Sequence, residues 1–177
     1  MTIVFESSSD LVSKFGLVAA AEGLWKIACP LTVRYGYSLW DPKSDATAVK
    51  RALTAMPTLF KDVFMQYCSY PAECSSDAND NPLNLTCYMW FDIIGLDCCE
   101  LNEIPDERIR WALEALKAVL ELPHIACQKS ALHGLGHIAG YRPAIVKPII
   151  AEFIGRSPKI PSNLQTYAER AAEGQVI

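Results

Sequence analysis

From residue 81 onward, residues that start and stop helices alternate with stretches whose apolar positions recur every three or four residues. That agreement of punctuation with period restricts this half of the chain to packed amphipathic helices. Asn81 is placed to cap a helix with Pro82 at its first position, running through Tyr88, Met89, Phe91 and Ile93 to about Leu96. Pro105 opens the next, with Asp106 and Glu107 near the positive end of its dipole. Ile109, Ala112, Leu113, Leu116, Val119 and Leu120 form its inner face, Arg110, Glu114, Lys117 and Glu121 its outer one, and Pro123 stops it. A third helix spans about His124 to Ala139, burying Cys127, Ala131, Leu135 and Ile138, with Gly140 suited to a left-handed C-terminal position. Pro143 begins a fourth, which Pro148 should kink or delay. The last starts at Ser162, which with Gln165 makes a capping box.

The first half is punctuated less regularly. Leu11 to Lys26 reads as helix, and Ser44 to Tyr67 as one helix interrupted, or two separated, at Pro57. Between them Leu31 to Leu39 alternates apolar and polar residues as a half-buried strand does, with Ile3-Val4-Phe5 as its one candidate partner. We expect a single domain over 1–177, made of an irregular or helical N-terminal part (1–43) and a helical-repeat body (44–177).

The repeat is internal. The helix containing Cys87 to Gly95 overlays that containing Cys127 to Gly136 at an offset of about 40 residues, and a second amphipathic helix follows each. Ser130-Ala131-Leu132-His133-Gly134-Leu135-Gly136-His137-Ile138 resembles the first helix of a HEAT or armadillo-type repeat, over residues 82 to 156 at most. The resemblance implies an all-α short solenoid of antiparallel hairpins, a fold usually used as a protein-binding scaffold.

Charge is distributed unevenly along the chain. Between Asp62 and Glu107 lie ten carboxylates and no Lys or Arg, although the formal charge of the whole is only −4. A one-signed stretch of this length produces a potential able to steer a cationic partner. Tyr67, Tyr70, Tyr88 and Trp90 lie within or beside it, and aromatics of this kind anchor interfaces. The expected function is therefore recognition of another, basic protein, with Tyr70, Glu73, Asp77, Asp80, Asp97, Glu100 and Glu103 as the binding residues. An inhibitor or immunity protein for a basic toxin such as a nuclease is one concrete form. A structural homo-oligomer is an alternative, as is a metal-dependent enzyme.

Other partners are disfavoured. No Lys/Arg stripe suits nucleic acid, and no apolar stretch approaches the ~20 residues that span a bilayer. No cationic leader precedes the Leu17 to Ala21 run, and seven cysteines cannot all pair internally, so a cytoplasmic protein with reduced, mostly buried thiols is expected.

Catalytic motifs are lacking, and no cofactor is expected. His133 and His137 are spaced i, i+4, so two imidazoles share one helical face, as in metal sites. They have no evident third ligand in the sequence, Gly134 occupies the position where zinc proteases carry glutamate, and Lys129 on the same stripe repels a cation. Lys129, His133 and His137 are thus expected to form a polar outer stripe. Cys68, Cys74, Cys87, Cys98 and Cys99 lack the C-x-x-C spacing of a zinc knuckle, and the Asp77 to Asn81 segment lacks the glycine and late carboxylate of a calcium loop.

Overall fold

The computed structural model describes residues 1–29, 35–69, 81–96, 104–156 and 160–176, and among these the only regular structure is helical. In chain order the helices are α1 (Thr2–Glu6), α2 (Leu11–Phe15), α3 (Leu17–Ala28), α4 (Ala46–Leu59), a π-helical turn (Phe60–Phe64) and α5 (Met65–Tyr67). There follow α6 (Pro82–Tyr88), α7 (Trp90–Ile93), α8 (Asp106–Leu120), α9 (Ile125–Ala139), α10 (Pro143–Arg156) and α11 (Ser162–Ala172).

Helix ends follow the expected chemistry in part. Asn81 caps α6, its side chain accepting from Leu83 N at 3.1 Å, and Asp45 caps α4 by accepting from Ala48 N at 2.7 Å. Pro57 and Pro148 are accommodated inside α4 and α10 without ending them, and the π-helical turn lies directly after Pro57's helix. The capping box is a correction: α11 begins at Ser162, but Pro161 is its cap, and the Gln165 side chain donates to Glu169 instead. Gly140 is another, since its φ of −56° is right-handed helical; the glycines with positive φ are Gly16, Gly95 and Gly174. Gly16, at φ 78°, breaks the expected Leu11 to Lys26 helix into α2 and α3.

The expected strand is absent from the described residues. Residues 31–34 lie outside them, Tyr37–Leu39 form a 3-10 turn, and the proposed partner Ile3-Val4-Phe5 is inside α1. Phe5, Leu39 and Trp40 enter the common core instead. Of the alternating apolar residues that are described, Leu39 is buried whereas Tyr35 and Tyr37 are exposed, so the alternation does not make a buried strand face.

One core joins the two halves. α1 packs on α4, α3 on α6 and α4 on α8, and the Phe5, Phe60 and Phe64 rings surround Trp90, with centroids 5.6–6.4 Å from it. The N-terminal residues are thus part of the body's packing. α9 is the central element, touching α6, α7, α8, α10 and α11, and its residues from Ala126 to Ala139 are buried on nearly every face. A helix surrounded in this way holds its polar side chains inside the protein, where they need partners.

Candidate functional site

Three features of the local sequence bring α7 against α9. A break at Met89, φ −82° and ψ 6°, separates α6 from α7 and re-aims the turn that carries Asp92. Ser130, buried one turn before His133, donates to the Cys87 carbonyl at 2.5 Å and ties α9 to the end of α6. Gly134 then allows close approach, because a Cβ there would lie 2.7 Å from Cγ of Phe91. The residue after Phe91 is Asp92, so the absence of that side chain sets how near the carboxylate comes to the imidazoles.

Asp92 lies between His133 and His137. His137 Nε2 donates to its Oδ1 at 2.6 Å, and His133 Nε2 is 3.1 Å from each of its oxygens. One donor atom from each of the three residues lies within 4.8 Å of the other two, the one such group of metal-ligating side chains among the described residues. Bound at about 2.0–2.2 Å from a single ion, such donors would stand roughly 3.0–3.5 Å apart; the spacing present runs from 2.6 Å to at most 4.8 Å, so the widest pair would have to close in on an ion. No third candidate ligand for the histidines is evident in the sequence, and the tertiary structure brings a carboxylate to them from 41 residues away.

The polar outer stripe is also corrected. His133 is 1% exposed, and the side chains of His137 and Asp92 are 20% and 14% exposed, so the group lies at the edge of the core and reaches solvent on the His137 side. Lys129 lies over the two rings that pack against His133, its Nζ 4.9 Å from the ring centre of Tyr88 and 5.3 Å from that of Tyr167. There the cation is held by two aromatic faces.

Protonation follows from these contacts. Burial pushes the Asp92 carboxyl up, but the hydrogen bonds from His133 and then His137 outweigh it and bring it to about 2, so it is anionic at neutral pH. Tyr167 Oη is 2.5 Å from His133 Nδ1 and 3.3 Å from Tyr88 Oη. Burial, then the bond to Tyr88, pushes the Tyr167 hydroxyl well above the usual tyrosine range, which keeps it a phenol and makes it no base or nucleophile. Its chemistry is orientation. With Nε2–H of His133 donating to Asp92, Nδ1 accepts from Tyr167; with Nε2 bare as a ligand, the proton moves to Nδ1 and donates to Tyr167. A ligating histidine whose other nitrogen is held in this way has its ring fixed.

A second cluster lies nearer the start of α9. His124, the cap residue, has Nδ1 3.4 Å from Cys127 Sγ and Nε2 3.2 Å from the Cys68 carbonyl. The thiols of Cys68, Cys87 and Cys127 each face a backbone carbonyl, that of Leu83 at 3.5 Å, Ala126 at 3.8 Å and Phe60 at 4.0 Å. All three thiols are buried and unpaired by disulfide, as expected, while Cys29 is partly exposed. The hydrogen bond from Cys87 lowers Cys127 to about 6 against its burial, with help from His124, which is itself raised by Cys127. Burial drives Cys87 well above the ordinary thiol range.

The expected partner-binding residues Tyr70, Glu73, Asp77, Asp80, Asp97, Glu100 and Glu103 lie outside the described residues. Of the acidic stretch that is described, Asp62 accepts from Ser8 at 3.3 Å, Asp92 belongs to the histidine group, Asp106 is paired with Arg142 at 2.5 Å, and Glu107 is exposed in the first turn of α8. Tyr88 and Trp90 are buried, which removes them as surface anchors, whereas Tyr67 is 38% exposed. No helix among the described residues is long and apolar enough to cross a membrane. No family model, curated protein or solved structure matches the chain.

Proposed function

We propose that this is a metal-dependent protein that holds one transition-metal ion through Asp92 Oδ, His133 Nε2 and His137 Nε2. The observation that carries this reading is convergence: an anionic carboxylate and two imidazole nitrogens from separate helices meet within 4.8 Å, and the more buried imidazole is braced from behind by Tyr167. A hydrogen-bonded network built only to join helices would not need two histidines on one face. Two imidazoles and one carboxylate leave coordination positions open, the donor set of zinc hydrolases and of non-haem iron enzymes. A bound ion would supply a Lewis acid there, and the partly exposed His137 side is where water or substrate would reach it. The enzymatic alternative for His133 and His137 thereby gains a third ligand.

The repeat reading is a separate proposal. Successive contacts of α3 with α6, α6 with α9 and α9 with α11 support a stacked row of the kind HEAT and armadillo hairpins make. Recognition of a basic protein rests on the charge asymmetry of the sequence, and the engaged Asp62, Asp92 and Asp106 add nothing to it.

The test is metal content. Chelator-stripped protein titrated with Zn2+, or anaerobically with Fe2+, should take up one equivalent that Asp92→Asn and His137→Ala each remove, with affinity at least ~100-fold lower because losing a ligand exceeds the usual cost of losing a second-shell partner. His137 is the informative position, since its partial exposure allows the truncated protein to fold. Unchanged uptake by His137→Ala would reduce the group to a structural network.

A further inference from the structure

We propose that residues 174–176 form a strap that walls the second side of the His133–His137 pair and gates access to it, and hence exchange of the ion; the part about the ion rests on the metal reading above. The strap begins in the turn that ends α11. Gly174 has φ 71°, its N–H donates to the Ala171 carbonyl, and the N–H of Gln175 donates to the Arg170 carbonyl, both at 3.0 Å. This is a glycine-based C-terminal cap that reverses the chain, and a side chain at 174 would be strained in it. The reversal brings the strap onto the C-terminal end of α9. A Cβ on Gly174 would stand 3.0 Å from Cα of Gly140, and one on Gly136 would stand 2.4 Å from Cγ1 and 2.7 Å from Cγ2 of Val176. Val176 thus fills the space that Gly136 leaves empty.

Helix register ties these contacts to the site. Residues three apart on a helix are surface neighbours, so Gly136 adjoins His133 and Gly140 adjoins His137. On the opposite flank Gly134 adjoins His137 and receives Phe91, the residue before Asp92. The two imidazoles therefore lie between α7 on one side and the strap on the other. The first wall is buried in the core, whereas the second is lightly held. Among the described residues the backbone hydrogen bonds of the strap run to α11 and none to α9. Its remaining attachments are the half-buried Val176 and, just before the turn, the exposed pair of Glu173 with Lys147 at 2.8 Å, a type that contributes little. A wall resting on one apolar contact opens without unfolding the core behind it, and its opening sets the rate at which small molecules reach what it covers.

Two variants unseat the strap and keep all three proposed ligands: Gly136→Ala, whose methyl takes the space of Val176, and Val176→Gly, which removes the side chain. The whole chain, loaded with Zn2+ and mixed with excess EDTA, should release the ion at least ~5-fold faster in both variants than in the parent, because the open population rises when a half-buried valine loses its contact. One equivalent should still bind at saturation. Metal-free protein gives a second reading that needs no ion: modification of His133 by diethyl pyrocarbonate, followed by peptide mass, should accelerate in both variants by a similar factor. Zinc release or His133 modification at the parent's rate in both variants overturns the strap. Failure of the parent to take up Zn2+ overturns the metal reading instead, and the modification rates then decide the strap by themselves.

Discussion

Gly134 and Gly136 show how single residues set the first site. A methyl at 134 would lie 2.7 Å from Phe91 Cγ and 2.9 Å from Leu116 Cδ2, both buried and neither free to retreat. Overpacking of that kind costs about 1–3 kcal/mol, and the better helix propensity of alanine returns about 0.5–1. Gly134→Ala is expected to destabilise by roughly 1–2 kcal/mol in urea unfolding, and to weaken metal uptake by displacing α7. At 136 the methyl would meet the side chain of Val176, which follows the last helix in a segment without regular structure and can swing away. Gly136→Ala should therefore stay within about 0.5 kcal/mol of the parent. Equal losses at the two positions would contradict this account. The sequence shows both glycines plainly. Which one is crowded by a buried ring depends on where Phe91 packs, and no local rule gives that.

Helices of the second half were legible because caps, prolines and period agreed. Asn81 and Pro82 start α6, and the inner and outer faces of α8 are those the spacing dictates. Burial overrides the local rules elsewhere. α9 has the i, i+4 histidines that read as a polar outer stripe, yet it is surrounded by five other helices, so the stripe faces α7 and α11. Arg108 on α8 was equally hidden. Its guanidinium, 2% exposed, donates to the carbonyls of Leu39, Asp41 and Ser44 at 2.5–3.1 Å and so fastens the irregular segment before α4. Charged hydrogen bonds of this type contribute about 1.5–3 kcal/mol, and removing the donor leaves carbonyls unpaired. Arg108→Met should cost about 3 kcal/mol in unfolding free energy, measured by urea titration. A cost below ~1 kcal/mol would mean that the segment is held by its apolar residues, Leu39 and Trp40, alone.

For the whole molecule, the first site joins elements that are distant in sequence, so ion binding must couple to global stability. α7, α9 and α11 all contribute, through Asp92, the two histidines and Tyr167. A ligand at about 100 times its Kd that binds only the folded state adds about 2.7 kcal/mol, and a chain of this size gains roughly 2–4 °C per kcal/mol. Zn2+ is thus expected to raise Tm by about 5–10 °C in the parent, checked by calorimetry. In Asp92→Asn, Tm should not move, and a shift there would place the ion elsewhere.

Sequence alone determined that the chain is helical and where most second-half helices begin, because a turn of helix is specified by residues within four positions of one another. It also placed the two histidines on one face and Cys68, Cys87 and Cys127 among the buried residues. Only the tertiary structure decided that this face meets Asp92, that Tyr167 braces it, and that His124 reaches both Cys127 and the Cys68 carbonyl. Those contacts join residues up to 56 positions apart, and such pairs are fixed by how helix faces pack into one core, a choice that no window of sequence contains.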